Sequence, residues 1–439
     1  MRSCFLVFVL ILGFGCAKNN KVSEGTLSPK MQSIGDSLNT YFSKLTEMEK
    51  FNGVVLAYKN DTLLLQRAYN LDNDVKSSAY VTDSTQFDIH SISKLMTLYL
   101  VVKLENEGKL SRNQTLDAFY DDFPRGDQIT LNMLLEHSSG LPRELMGLEG
   151  EEYEFTSDQI VELAKKQEVI FEPGTDVQYS NVGYEILYNI VSKVHGKPFA
   201  QCVLEEVFEP MGMEASGAHF FTDENRVRNL ARNHILKDSL LTQVDNIQRD
   251  EFRTARLYST VEDLKKFLDQ VSREPFKSAL VDENGVIAKD GGSKGARAQV
   301  YSDLEHHFQF VLLSNYDEMP FFQTIADVAK ILRSEPVEFP KEIDRKSMAL
   351  DVEILKHYEG SYAFADFDGM VLEIRVEGNQ LAIYQENQKI GKLKAESPTV
   401  FFENPKASES FEFIKNDSGT YNALMGWKGI AVEGKRISN

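Results

Sequence analysis

Ser91-Ile92-Ser93-Lys94 sets a hydroxyl and an amine three residues apart. Leu95, Leu98, Tyr99 and Val102 follow at helical spacing, so both groups share one face of a helix's first turn. There the serine sits at the positive end of the helix dipole and the lysine points back over it. Free lysine titrates near pH ~10.4. To take a serine's proton at neutral pH it must be desolvated or set beside other cations, which makes the pair a nucleophile and its base. The same four residues also describe a helix N-cap serine beside a solvated lysine, and spacing alone does not separate the two readings.

Two later segments could complete such a site. Phe171-Glu172-Pro173-Gly174 precedes Tyr179-Ser180-Asn181, and helical spacing resumes at about Val182. A tyrosine on a tight loop can relay a proton and an asparagine can hold an amide, although a turn followed by a helix cap explains the same residues. Lys289-Asp290-Gly291-Gly292-Ser293-Lys294-Gly295 leads into a strand at Arg297. Glycines beside a strand let a ligand or another backbone come close, or simply make a flexible hairpin entry. His306 and His307 lie on a turn and share no metal spacing with cysteine or carboxylate clusters, so no metal is expected. Cys202, in an apolar helical stretch, reads as a buried small hydrophobe.

These residues are far apart in sequence, so the fold must bring them together. With 439 residues the chain is long enough for two folded units. The first spans residues 31–332. A helical pattern runs from Met31 to Met48, and Val54 to Tyr58 and Leu63 to Ala68 form a hairpin through Lys59-Asn60-Asp61. Helical segments then dominate from Ser91 to about Phe276. Strands return at Arg297 to Tyr301 and Phe308 to Leu313. A sheet built from the two ends of this unit, with helices between, makes distant segments meet. Residues 333–349, with Pro336, Pro340 and dense charge, read as a linker. Over 350–439 the alternation of Leu372, Ile374, Val376, then Leu381, Ile383, and Phe411, Phe413 predicts a small antiparallel β-barrel-like unit, with Phe401 and Phe402 in its core.

At the N-terminus, Met1-Arg2, the apolar run Phe5 to Phe14 and Gly15-Cys16 read as a signal peptide over 1–15, too short to span a membrane, with a polar tether over 16–30. The segment resembles a bacterial lipoprotein signal, which implies lipidation of Cys16, a membrane anchor and a place on the periplasmic side of the cell envelope. Simple cleavage and release is the alternative. The net charge of −19 is spread along the chain, which argues against nucleic acid as a partner.

Taken in this order, the three segments resemble the penicillin-recognising serine hydrolases, a family that includes class C β-lactamases, D-alanyl-D-alanine carboxypeptidases, D-aminopeptidases and related esterases. The resemblance covers about residues 35 to 335. It extends to Thr85-Gln86-Phe87, to Ile129 through Leu135 with Glu136-His137-Ser138-Ser139-Gly140-Leu141-Pro142, and to Leu257-Tyr258-Ser259-Thr260-Val261-Glu262-Asp263-Leu264. It implies a β-lactamase/transpeptidase-like α/β fold, an antiparallel sheet flanked by helices, with the C-terminal all-β unit similar to appendages of some relatives. Ser91 would then be the acylated nucleophile, Lys94 its base, and Tyr179 a co-base and proton donor to the leaving group. Asn181 would bind the substrate's amide or carbonyl. Lys289 would keep the tyrosine acidic and attract a carboxylate. Backbone N–H groups of Ser91 and Gly292, beside Gly291, would form the oxyanion hole, and His137 would be structural. No cofactor is implied, and the substrate would be a small ester, amide, β-lactam or D-amino-acid peptide. Three positions depart from the family pattern: Asp290, expected to repel a substrate carboxylate; Thr254-Ala255-Arg256, in place of a glycine-rich turn; and Ala296, where an aromatic is common. The rival reading is a binding or sensor protein of the same fold that captures cell-wall fragments without turnover.

Overall fold

The computed structural model describes residues 27–145, 156–219, 227–237, 240–244, 256–367 and 369–438. The signal segment, Cys16, most of the tether, Thr254 and Ala255 lie outside them. Helix α1 (Pro29–Glu47) starts where Ser28 accepts a hydrogen bond from the Met31 N–H, with proline in the first turn. It buries Ile34, Leu38, Tyr41, Phe42 and Leu45 along one stripe. Strands β1 (Gly53–Lys59) and β2 (Thr62–Tyr69) are joined by Asn60-Asp61, both at positive φ (48° and 57°), as a tight hairpin turn requires.

Further small strands follow: β3 (Phe87–Asp88), β4 (Gly217–His219), β5 (His234–Lys237), β6 (Leu240–Gln243) and β7 (Arg256–Ser259). The helices between and after them are α2 (Ile92–Asn106), α3 (Leu131–Leu135), α4 (Ser157–Ala164), α5 (Asn181–His195), α6 (Phe199–Val203), α7 (Val261–Val271) and α8 (Lys277–Leu280). Then come β8 (Val286–Ser293), β9 (Ala296–Asp303), β10 (Phe308–Ser314) and α9 (Phe321–Arg333). The main sheet has the order β2-β1-β10-β9-β8 and every pairing is antiparallel. The two ends of the unit therefore meet at β1 and β10, as expected. Gly53 is needed there, because a Cβ would lie 2.3 Å from the Leu313 carbonyl oxygen.

Both faces of this sheet are covered. Val55, Ala57, Phe308, Phe310 and Leu312 pack under α1 and α9. Val54, Leu56, Ile287, Ala298, Val300, Val311 and Leu313 face the larger core with α2, α5 and α7. Truncating a fully buried ring such as Phe42, 5.0 Å from Phe51, would cost about 3–5 kcal/mol. The region from Ser91 to Phe276 is not purely helical. Within it, β7 pairs with β4, and with β3 just before Ser91, in a small sheet, and β5 pairs with β6. Strands of two to four residues are too short to produce a readable alternation.

The C-terminal unit opens with the short helix α10 (Val352–Leu355) and closes into an eight-stranded barrel. Its strands are β11 (Gly360–Phe364), β12 (Met370–Glu377), β13 (Gln380–Gln385), β14 (Gln388–Ala395), β15 (Val400–Phe402), β16 (Ser410–Lys415), β17 (Tyr421–Trp427) and β18 (Ile430–Ser438). Leu372, Ile374, Leu381, Ile383, Phe401, Phe411 and Phe413 fill the interior, and the Tyr358 ring stacks on Phe413 at 4.3 Å. Phe402 is buried on the other side of its strand, beneath the Arg345 guanidinium. Arg345 also pairs with Glu396 and donates to the Ala407 and Ser408 carbonyls, which ties the end of the segment between the units to the barrel.

Candidate active site

Ser91 stands at the N-cap of α2, but its side chain makes no capping hydrogen bond. Its Oγ instead lies 2.8 Å from Tyr179 Oη and accepts from Lys94 Nζ at 3.3 Å. Lys94 is only 7 % exposed, so the solvated-lysine reading of this motif does not hold. Its ammonium lies over the rings of Tyr179 (5.0 Å) and Tyr184 (5.3 Å), which partly replace the water it has lost. His90, at φ 47°, turns the chain sharply between β3 and α2 and presents the serine at the helix start.

The loop carrying Tyr179 is laced to the segment from His137 to Pro142. The Ser180 N–H donates to His137 Nδ1 at 3.1 Å, the Ser180 hydroxyl donates to the Pro142 carbonyl at 2.7 Å, and the Gln178 N–H donates to the His137 carbonyl at 2.9 Å. Ser180 Oγ also accepts from the Gly183 N–H, which starts α5. Gly140, at φ 77°, lets this loop pass Phe171, whose carbonyl oxygen would be 2.2 Å from an added Cβ. The His137 ring lies 4.5 Å from that of Tyr179. Burial, then Lys289 and Lys94, push its pKa down to about 4, so the imidazole is neutral and serves as an acceptor that supports the tyrosine.

Burial lowers the Lys94 pKa to about 8. Glu185 and Glu144 oppose that shift and Arg143 adds to it. Tyr179 is shifted the other way: burial raises its pKa, and the Ser91 hydrogen bond, Lys289 and Arg143 only partly offset this. Lys289, 5.3 Å from the Tyr179 ring, thus acts in the expected direction but is outweighed. Of the two groups on Ser91, Lys94 is the one whose pKa is brought down toward neutrality.

Lys289, Asp290, Gly291 and Gly292 are not a flexible lead-in. They lie within β8, an edge strand of the main sheet among the described residues. Gly291 packs against the start of α2, where an added Cβ would be 2.8 Å from the Ser91 nitrogen. Counting outward from the two-residue turn Lys294-Gly295, Gly292 falls opposite Arg297 in a pair that shares no ladder hydrogen bonds, so its N–H is directed to the open edge. Side chains alternate along a strand. Lys289 reaches over the Tyr179 ring, whereas Asp290 projects from the opposite face and is exposed; both border a cavity of about 530 Å³ with Gln299, Tyr301 and Phe322. Asp290 therefore makes no direct contact across the cleft, but its charge still acts on Lys94 and Tyr179, raising the pKa of both.

Asn181 donates to Glu144 Oε1 at 2.5 Å, so its amide is already oriented by a carboxylate. Arg143, whose guanidinium lies 5.1 Å from the Tyr179 ring, Glu144, Tyr184 and Glu185 were not singled out in the sequence. The signal for them was position alone: Arg143 and Glu144 directly follow the His137 to Pro142 segment, and Glu185 lies one helical turn after Asn181. Cys202 is fully buried and its thiol is pushed up to about 11, as expected of an inert side chain.

The beta-lactamase family model matches residues 38–332. Penicillin-binding protein 4* of Bacillus subtilis (strain 168) is 26% identical over 422 residues, which cover 83% of this chain and 90% of that protein. The teichoic acid D-alanine hydrolase of Staphylococcus aureus is 23% identical over 261 residues, 57% of this chain and 62% of that one. Among solved structures, the octameric penicillin-binding protein homologue from Pyrococcus abyssi superposes with a TM-score of 0.59 at 20% identity, covering 91% of this chain and 99% of its own, so the likeness of fold reaches beyond the main sheet and its helices into the barrel. Because the family match runs from α1 to the end of α9 and so contains every strand of the main sheet, the chain belongs to the beta-lactamase family and is a serine hydrolase.

Proposed function

We propose that the protein hydrolyses a small ester, amide, β-lactam or D-amino-acid peptide through an acyl-enzyme on Ser91. The observation that carries this reading is the hydroxyl at a helix N-cap that does not cap, held instead by Tyr179 at 2.8 Å and by the buried Lys94 at 3.3 Å. Neutral Lys94 takes the serine's proton as Oγ attacks the carbonyl carbon. The N–H groups of Ser91 and Gly292 receive the charge that develops on the carbonyl oxygen. Tyr179 then passes a proton to the leaving group, and water releases the acyl chain from Ser91 by the reverse relay.

Asn181, oriented by Glu144, holds the substrate's amide or carbonyl, and Lys289 attracts a carboxylate. With Lys289 over the Tyr179 ring and Asp290 projecting from the other face of β8, the nearer charge favours a substrate carrying a carboxylate near the scissile bond. The teichoic acid D-alanine hydrolase among the relatives supports a D-amino-acid substrate. A site in the bacterial cell envelope, with Cys16 lipidated, follows from the N-terminal segment and is tested by palmitate labelling of the wild type against Cys16→Ser. The presence of the whole Ser91, Lys94 and Tyr179 set counts against a silent binding protein.

The deciding experiment mixes the chain from Lys18 onward with p-nitrophenyl butyrate and compares it with Ser91→Ala. Nitrophenol release should vanish in the variant while its circular dichroism and melting temperature stay unchanged. Equal release by both proteins would reject Ser91 as the nucleophile.

A further inference from the structure

We infer that the C-terminal barrel is a positioning element for the oxyanion hole: the β17-β18 turn, through Lys428, Asp317 and Arg297, holds the edge-strand backbone at Gly292 in place. This rests on the acyl-enzyme reading above and gives the barrel a part in that chemistry.

The contact begins at a helix end. α9 starts at Pro320, which offers no side-chain cap, so the first N–H groups of the helix need another acceptor. The barrel supplies it: the Lys428 carbonyl accepts from the Phe322 N–H at 3.0 Å and from the Gln323 N–H at 3.4 Å. Lys428 and Gly429 form the two-residue turn between β17 and β18, at φ 49° and 88°. Gly429 sits directly on the helix, where an added Cβ would be 2.3 Å from the Gln323 Cβ. Trp427, just before the turn, packs 5.9 Å from Phe322.

From this seat the Lys428 ammonium reaches the loop before α9. It donates to the Asp317 backbone carbonyl and, at 3.2 Å, to Asp317 Oδ1. The same Oδ1 receives Arg297 Nε at 2.9 Å. Arg297 is the β9 partner of Gly292, and its guanidinium lies across that residue: a Cβ on Gly292 would be 2.3 Å from one terminal nitrogen and 3.1 Å from Cδ. A carboxylate between two cations holds both in one geometry better than either pair would alone. Among the described residues, no strand pairs with β8 on its outer side. The side of Gly292 away from the cleft is therefore held by β9 and by this guanidinium. An oxyanion donor works only when fixed before charge develops, so a loosened Gly292 should lower kcat without weakening the binding of the ground state.

The test measures kcat and KM separately for p-nitrophenyl butyrate in the wild type, Lys428→Met, Arg297→Met and the double variant, with Ser91→Ala alongside. Each single change should lower kcat about tenfold and move KM less than about twofold, and the double variant should be no slower than the slower single, because one linkage is cut twice. An unchanged kcat in folded Lys428→Met, a change in KM alone, or multiplied losses in the double variant would overturn the inference. Should Lys428→Met fail to fold, Asp317→Ala removes the Oδ1 acceptor that Lys428 and Arg297 share, and full kcat there would likewise overturn it. Activity surviving in Ser91→Ala would instead sink the acyl-enzyme reading, whatever the Lys428 variants do.

Discussion

The cleft and the barrel treat charge in opposite ways. Around Ser91 the protein buries Lys94 and Glu185 and half-buries Tyr179, His137 and Lys289. Among the described residues of the barrel, 360–438, no charged side chain is buried, and the interior is filled by aliphatic and aromatic groups. The barrel is built as a stable body. The cleft carries a desolvation cost because a lysine in water holds its proton too firmly to act as a base at neutral pH. Substitutions around Ser91 should therefore cost chemistry, and substitutions in the barrel interior should cost stability.

The sharpest contrast is Lys94→Met. It should lower kcat/KM by roughly 10²–10⁴-fold, the range for a lost general base, while the melting temperature falls only modestly, because methionine fills the space although the buried Glu185 loses a cation beside it. A large fall in melting temperature would break the comparison by making Lys94 structural. Phe413→Ala should do the reverse: a loss of about 3–5 kcal/mol in urea unfolding, with kcat retained in the folded protein. Next comes pH. Neutral Lys94 is the working form and its pKa is lowered to about 8, so kcat/KM should rise about tenfold per unit below that value and level off above it. Glu185 favours the protonated lysine, so in Glu185→Gln the rising limb should move to lower pH, and a limb that stays in place would assign it to another group. The smallest effect is expected at Asp290. Being exposed on the far face of β8, Asp290→Thr should change acylation by a penicillin by less than about threefold, and a larger gain would mean that its charge reaches the substrate after all.

Much of the fold was legible because it is written in local patterns. The amphipathic stripe of α1, the Asn60-Asp61 hairpin and the alternation along the barrel strands each follow from backbone periodicity, and each appears in the structure. The short strands β4 to β7 were not legible, because three or four residues carry no period, and β4 and β7 form only where strands from distant parts of the chain complete their hydrogen bonds. The same division runs through the site. Ser91 and Lys94 were readable as a pair since one helix turn joins them, and Tyr179 and Lys289 through their motifs. Glu144 and Arg143 were not, because their importance comes from the Asn181 amide and the Tyr179 ring, both nearly forty residues away in sequence.

What the sequence by itself determined, then, is the chemistry available: a hydroxyl with an amine on its helix face, a tyrosine on a turn, glycines beside a lysine, and two units with different periodicities. The tertiary structure decided which of these become a site. Only packing strips water from Lys94 and lowers its pKa, only the pairing of β8 with β9 sends Lys289 into the cleft and Asp290 away from it, and only the docking of Lys428 on α9 ties the barrel to Gly292. The physical reason is the same each time: residue type sets what a group can do, whereas its protonation, direction and neighbours depend on atoms that come together only after the chain has folded.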